Sequence, residues 1–348
     1  MRTYFPMMAV LLSTMIGPNA FAVSEKDLES VYQSQIVTFF ETGVTGVVYG
    51  SNRSAKEVAL VYHSFHQENE VGAIVLIPGR TEASIKYAEM VYDLFQKGYS
   101  VYIMDVRGQG ESDRMTGNPE IGYVRDFDDY ADDEKIFFDK VVNEYPHSKR
   151  YIVAHSMGGA IALRFEAKYP GQVDALALSS PMIKVKTQIF HNPIENFVFH
   201  EEEAKAWAEL NCLFRCKSYA NGQHDWSIND RNSTTSSQVR YKLSVTGPFV
   251  SNPRLQVGGA SFSWVREAIA KSQKIRKYAA AVTAPVLIMQ AGMDQLVMPD
   301  GQREFCSKAK NCTLVTEGFE GAQHDLFGER DEIRDRAMAD TLDFISRH

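Results

Sequence analysis

The sequence predicts an α/β protein built on a mostly parallel sheet of eight strands, with a largely helical segment inserted between the sixth and seventh. Three observations predict it. Short apolar runs such as Ala73-Ile74-Val75-Leu76-Ile77 recur from Val44 onward, with the unbroken hydrophobicity of strands buried on both faces. Helical patterns lie between the runs, an alternation that favours parallel strands joined by crossovers. From Met182 to about Thr283 that alternation stops.

The elements read as follows. Gly43–Tyr49 and Val58–Phe65 alternate apolar and polar residues and sit before any helical pattern, which suits an antiparallel edge. Further strands are expected at Gly72–Ile77, Ser100–Met104, Arg150–Ala154, Val173–Leu178, Val286–Gln290 and Thr313–Thr316. A helix over Ser84–Lys97 ends at Gly98, a suitable residue just past a helix C-terminus. Phe127–Tyr145 is acidic at its start and precedes Pro146, and Met157–Tyr169 precedes Pro170-Gly171. Pro299–Lys308 opens on proline, and Asp331–Arg347 closes the chain. The stretch that breaks the rhythm holds helical patches at Glu201–Leu210 and Ser261–Lys274. Structureless loops of that length are uncommon, so it reads as a cap. The resulting division is 1–22 export signal, 23–181 first part of the core, 182–283 cap and 284–348 second part of the core.

The first 22 residues carry one charge, Arg2, then an apolar run from Tyr4 to Ile16, the breakers Gly17 and Pro18, and Ala20-Phe21-Ala22. The run is short for a membrane span and has the layout of a cleaved secretory signal. Cutting after Ala22 leaves 348 − 22 = 326 residues and moves the net charge from −7 to −8. Such a protein is expected in the periplasm or outside the cell. Export permits disulfides among Cys212, Cys216, Cys306 and Cys312; three pairings are possible, and proximity favours the two local ones. With 37 basic against 44 acidic residues, the chain lacks the charge of a nucleic-acid or general anionic-surface binder.

The chemistry is carried by Tyr151-Ile152-Val153-Ala154-His155-Ser156-Met157-Gly158-Gly159-Ala160. A strand runs into a serine with small neighbours two residues away on each side, and a helix follows. This is a nucleophile elbow, with Ala154 in place of the usual first glycine. A serine hydroxyl needs a base, and the base needs an orienting acid. After an elbow the acid comes before the histidine in the chain. Asp294 stands just past the strand ending near Gln290, with Asp300 as a local rival; His324 stands in a glycine-bearing loop before the last helix. The neighbouring His155 is expected to point away from the site. An oxyanion needs two N–H donors, which the elbow assigns to Met157 and to Arg80 in the Pro78–Glu82 loop. Gly79 allows close backbone approach there. The Arg80 and Glu82 side chains either reach substrate or pair with each other. Asp105 to Ser112 reads as a structural loop in which Asp105 and Arg107 fix backbone.

With these residues in view, the chain resembles the α/β-hydrolase superfamily, and within it the bacterial lysophospholipase group related to monoacylglycerol lipases. The segments that carry the resemblance are Pro78-Gly79-Arg80 with Lys86-Tyr87-Ala88-Glu89, Asp105 to Ser112, the elbow, and Val257-Gly258-Gly259 with Trp264-Val265-Arg266-Glu267. It runs from about Tyr49 to the C-terminus and is thin over Lys184–Asp230. The family's Ser, Asp and His carry over onto Ser156, Asp294 and His324. A His-Gly pair is common at the oxyanion loop of such folds, and Pro78-Gly79 departs from it.

The resemblance implies hydrolysis of the fatty-acyl ester of lysophospholipids or monoacylglycerols, or acyl transfer, without metal or cofactor. No nucleic-acid partner is expected from the charge balance, and no protein partner is predicted. Peripheral membrane contact would come through apolar cap residues, because a net charge of −8 gains little from anionic lipid. Phe190, Phe197, Trp207, Phe249 and Trp264 either line an acyl channel or form cap core; of these, Phe190 and Trp264, with Gly79, are the candidate substrate contacts. A short-chain carboxylesterase or serine peptidase on the same fold is the rival reading, and a non-catalytic lipid-binding protein a remote one. An Asp-nucleophile enzyme is disfavoured by Ser156.

Overall fold

The computed structural model describes residues 23–50, 57–187, 200–229, 232 and 234–348. The proposed export signal, Phe190 and Phe197 lie outside them. Eight strands form one sheet in the order β1-β2-β4-β3-β5-β6-β7-β8. They are β1 (Val44–Gly50), β2 (Val58–Phe65), β3 (Gly72–Ile77), β4 (Tyr99–Met104), β5 (Arg150–His155), β6 (Ala175–Ser179), β7 (Val286–Met289) and β8 (Cys312–Val315). β1 pairs antiparallel with β2, and β2 with β4; every later pairing is parallel.

All six residues of β3 are buried. Ala73, Val75 and Ile77 enter one apolar cluster, and Ile74 and Leu76 enter the other. This two-residue alternation between two covered faces is why the strand shows no polar alternation in sequence. On the first face lie α3 (Asp128–Lys140) and α4 (Met157–Lys168); on the second lie α2 (Ala88–Gln96) and α8 (Asp331–Ser346).

The expectation that two strands come before any helix is corrected. A helical segment from Glu25 to Phe40, opened by α1 (Glu25–Val31), precedes β1. Leu28, Tyr32, Ile36 and Phe40 repeat every four residues and pack into the second cluster, as one face of a helix does. Its start is anchored: the Glu25 N–H donates to both carboxylate oxygens of Asp331, at 3.0 and 2.9 Å.

The insertion between β6 and β7 holds α5 (Glu201–Arg215), several short helical turns and α6 (Phe262–Lys277). It is fastened to the sheet layers by buried ion pairs. Arg240 meets Glu89 of α2 at 3.1 Å, and Lys271 of α6 meets Asp128 of α3 at 2.7 Å; inside the insertion, Arg276 of α6 meets Glu201 of α5 at 2.6 Å. Cys212 is joined to Cys216 at the end of α5, and Cys306 of α7 (Pro299–Lys308) to Cys312 of β8. No helix among the described residues is long and apolar enough to cross a membrane.

Candidate active site

The chain turns sharply between β5 and α4, and Ser156 occupies the turn with φ 53° and ψ −116°. A positive φ is strained for a residue with a Cβ. The surrounding bonds hold it: the Ser156 N–H donates to Ser179 O at 3.0 Å, and its carbonyl accepts from Met182 N at 2.8 Å. A Cβ at Gly158 would sit 2.1 Å from Ile77 O, so only glycine fits where α4 crosses the end of β3. Ala154 fits on the other side, fully covered within β5.

His324 brings the site together. Its Nε2 lies 2.7 Å from Ser156 Oγ, and its Nδ1 lies 2.7 Å from Asp294 Oδ2. The other carboxylate oxygen of Asp294 accepts the N–H groups of Leu296 and Val297, at 2.8 and 3.0 Å. Burial pushes the Asp294 carboxyl up, but His324 and the two N–H donors outweigh it and hold it below its usual value. The rival Asp300 pairs instead with Lys184, 2.5 Å away.

Of the two residues expected to supply oxyanion donors, Met157 follows the serine in the chain and Arg80 lines the same cavity. Met157 is the first residue of α4, where an N–H has no intrahelical acceptor. The loop carrying Arg80 is braced by Gln109, whose Oε1 accepts from Thr81 N at 2.8 Å and whose Nε2 donates to Gly79 O at 2.8 Å. Gln109 belongs to the Asp105–Ser112 loop, where Asp105 accepts the N–H groups of Ser84 and Glu111 at 2.6 and 2.8 Å. Asp105 therefore fixes backbone as expected. Arg107 reaches α3, through Asp133.

Several side chains sit differently from expectation. Gly79 does not line the cavity; its N–H donates to Glu82. Glu82 pairs with Lys86 rather than with Arg80. Lys86 also meets Asp325 at 2.6 Å, and Tyr87 Oη donates to Glu82 at 2.6 Å. His155 does not point away. Its ring lies 4.7 Å from that of His324, and its Nε2 is 3.8 Å from Glu82. Glu82, His155 and Asp325 offer three close ligand atoms, and the Lys86 ammonium is shared between the two carboxylates. This cluster was not assembled from sequence. Its only signals were the Lys86-Tyr87 pair and the Asp325 that follows His324.

Burial pushes the His155 imidazole down to about 4, from an ordinary 6.5. It is therefore neutral at neutral pH and does not repel a positive charge forming on His324. As pH falls, the unfolded chain takes up this proton first. The stability His155 contributes is present above pH 6.5 and is lost as pH drops through about 4. Its size is up to about 3 kcal/mol. Thermal melts of His155→Gln should show a smaller loss of Tm between neutral and acid pH than the wild type. An equal loss in both proteins would count against a buried neutral imidazole.

Ser156 and His324 open on a cavity of about 440 Å³ between the sheet and the insertion. Its apolar lining includes Val185, Tyr241, Val245, Phe249 and Trp264. Trp207 is not part of that lining and packs with the core instead. A concave, mostly apolar space with a few convergent polar groups is the form of a small-molecule site.

The family model described as "Serine aminopeptidase, S33" (Hydrolase_4) matches residues 68–331. Lysophospholipase L2 of Escherichia coli strain K12 is 34% identical over 299 residues, which are 84% of this chain and 85% of that protein. A monoacylglycerol lipase of Mycolicibacterium smegmatis is 24% identical over 276 residues, 79% of this chain and 89% of that one. Among solved structures, a soluble variant of the monoglyceride lipase of Saccharomyces cerevisiae, in complex with a substrate analog, superposes with a TM-score of 0.66 at 21% identity. It covers 89% of this chain and 96% of its own.

Proposed function

The chain belongs to the Hydrolase_4 family of α/β-hydrolases, and on that premise we propose that it is a serine hydrolase cleaving the fatty-acyl ester of lysophospholipids. The observation that carries the reading is the linear relay Asp294–His324–Ser156, with both contacts at 2.7 Å, opening on an apolar cavity. Ser156 Oγ passes its proton to His324 Nε2 and attacks the ester carbonyl carbon. The N–H groups of Met157 and Arg80 hold the resulting oxyanion. The intermediate collapses, the C–O bond breaks, and the glycerol oxygen leaves with the proton from His324. Water then gives a proton to His324 and attacks the acyl-serine, which releases the fatty acid and restores Ser156. Asp294 orients the imidazole and stabilises its charged form throughout. Monoacylglycerols are the second substrate class, supported by the M. smegmatis relative.

The family description names an aminopeptidase, a reading that needs an unpaired carboxylate to hold a substrate amine. Glu82, the carboxylate that lines the cavity among the described residues, is paired with Lys86, as is the neighbouring Asp325. The deciding experiment is a panel of lysophospholipids, monoacylglycerols, p-nitrophenyl esters of rising chain length and aminoacyl anilides, with products read by mass spectrometry. Fatty acid release from long-chain lipids should dominate. Best activity on two-carbon esters, or on aminoacyl anilides, overturns the lipid reading.

The approach to substrate runs through the insertion. Leu213 is 70% and Phe214 90% exposed near the end of α5, with Leu210 on the same helix face. These apolar side chains support contact with a lipid surface, which would cover them. Burying a phenylalanine contributes about 1.5–3 kcal/mol. Phe214→Glu should therefore lower hydrolysis of vesicle-borne lysophospholipid by at least about tenfold, and hydrolysis of a soluble short-chain ester far less. An equal loss on both substrates would remove the surface role.

Export by a cleaved signal is also proposed, with a periplasmic or secreted product. It is supported by the Ala20-Phe21-Ala22 boundary and by the anchoring of Glu25 three residues beyond it. The N-terminal sequence of the cell-derived protein should begin at Val23; retention of Met1 would argue against cleavage.

A further inference from the structure

Four arginines are buried among the described residues, and each is paired with a carboxylate: Arg107 with Asp133, Arg240 with Glu89, Arg276 with Glu201 and Arg334 with Asp93. Arg80, which lines the catalytic cavity, is not paired in this way. Its Nη2 donates to Gly258 O at 2.8 Å, and its guanidinium carbon lies 4.9 Å from the centre of the Trp264 ring. Its Nε is buried without a hydrogen-bond partner. The groups that act on its charge, after burial itself, are two phenols, Tyr130 and Tyr219. Glu82, which lines the same cavity, is already committed to Lys86, and the nearby Asp325 and Asp294 are committed to Lys86 and His324.

An unpaired charge held out of water is costly, and the carbonyl and indole contacts repay only part of that cost. They do fix the guanidinium plane. A fixed planar guanidinium is suited to phosphate, which it binds through paired N–H groups. The position is also apt. Arg80 follows Gly79 in the loop expected to hold the ester carbonyl, and in a lysophospholipid only the glycerol unit separates that ester from the phosphodiester.

We propose that the Arg80 side chain forms an anion subsite for the phosphodiester of a lysophospholipid, the charge that a monoacylglycerol lacks. The proposal rests on the acyl-ester reading of the cavity and adds a basis for choosing between its two substrate classes. Burial lowers the Arg80 pKa only to about 10, so the cation is present at neutral pH.

The test reads a ratio, because the Arg80 backbone belongs to the proposed oxyanion hole and both activities can fall. The ratio is kcat/KM for lysophosphatidylglycerol over that for the monoacylglycerol of the same acyl chain, both kept monomeric. Arg80→Met should lower it at least about tenfold, and Arg80→Lys, which keeps the charge without the fork, by less. A ratio within about twofold of wild type for Arg80→Met overturns the proposal.

A second arm uses only the wild type, so it survives a variant that fails to fold. Glycerophosphoglycerol, glycerol and inorganic phosphate are compared as inhibitors of p-nitrophenyl butyrate hydrolysis. The phosphodiester should inhibit at least about tenfold more tightly than glycerol, and less so in high salt. Equal inhibition by glycerol overturns the proposal. Inhibition by inorganic phosphate as tight as that by the phosphodiester assigns the site to a free anion and overturns the headgroup role. Failure of the underlying lipid reading looks different: the wild type would cleave p-nitrophenyl butyrate but neither lipid.

Discussion

Ser156→Ala should lower kcat/KM for a long-chain lysophospholipid by about 10⁵–10⁶-fold while leaving the fold intact. The substitution deletes the one atom that attacks, and it deletes the proton donor to His324 Nε2 at 2.7 Å. The bonds that pin the elbow come from the Ser156 backbone and are untouched. Loss of activity should therefore come with a Tm within a few degrees of wild type. A residual rate of up to about 10³-fold over water is expected from the oxyanion donors and substrate binding. Retention of more than about 1% of wild-type kcat/KM, in protein shown free of contaminating esterase, would defeat the acyl-enzyme mechanism.

Asp294→Asn should cost about 10⁴-fold in kcat, and the structure says why the loss is built in. Asp294 Oδ1 accepts two backbone N–H groups, from Leu296 and Val297, so an asparagine must place its oxygen there. Its NH₂ group is then forced toward His324 Nδ1, which becomes an acceptor. The ring proton moves to Nε2, and Nε2 can no longer accept the proton of Ser156. A drop of 10⁴ corresponds to about 5.5 kcal/mol of transition-state stabilisation. The measurement is single-turnover acylation with a thermal melt as control. A loss under about tenfold, with the melt unchanged, would show that His324 is oriented by some other group.

Both predictions concern residues that were legible in sequence. The reasons are local or ordinal. A strand, a serine between small residues and a helix must make an elbow, because only small neighbours allow the close approach seen where Gly158 meets Ile77 O. Asp294 and His324 follow from chain order past successive strands. Strands such as Val58–Phe65 and Gly72–Ile77 were readable residue for residue, since burial on one or both faces writes itself into the pattern.

Other parts were missed for a physical reason. The Glu25–Phe40 segment changes from α to π winding and back within a few turns, so its stripe at Leu28, Tyr32, Ile36 and Phe40 has a period of four that a 3.6-residue template blurs. Gln109 looks like an ordinary polar residue in a glycine-rich loop. Its role as a brace of the oxyanion loop exists only because β3 and β4 lie side by side. His155 was expected to point away from its neighbour Ser156, but the positive φ of the elbow turns the chain so that its ring comes beside His324.

By itself the sequence determined the strand-and-helix order from Val44 onward, the place of the insertion, the elbow and the three residues that meet at it. Hydrophobic period, small-residue steric limits and the direction of the chain act over short distances, so they are readable in one dimension. The tertiary structure alone decided which charges neutralise each other. Lys86 took both Glu82 and Asp325, and Arg80, bonded to a carbonyl 178 residues away, was left with no carboxylate among the described residues. That partition depends on desolvation and on which remote segments pack together. It is what separates a bare ester-cleaving relay from a cavity able to recognise a charged lipid.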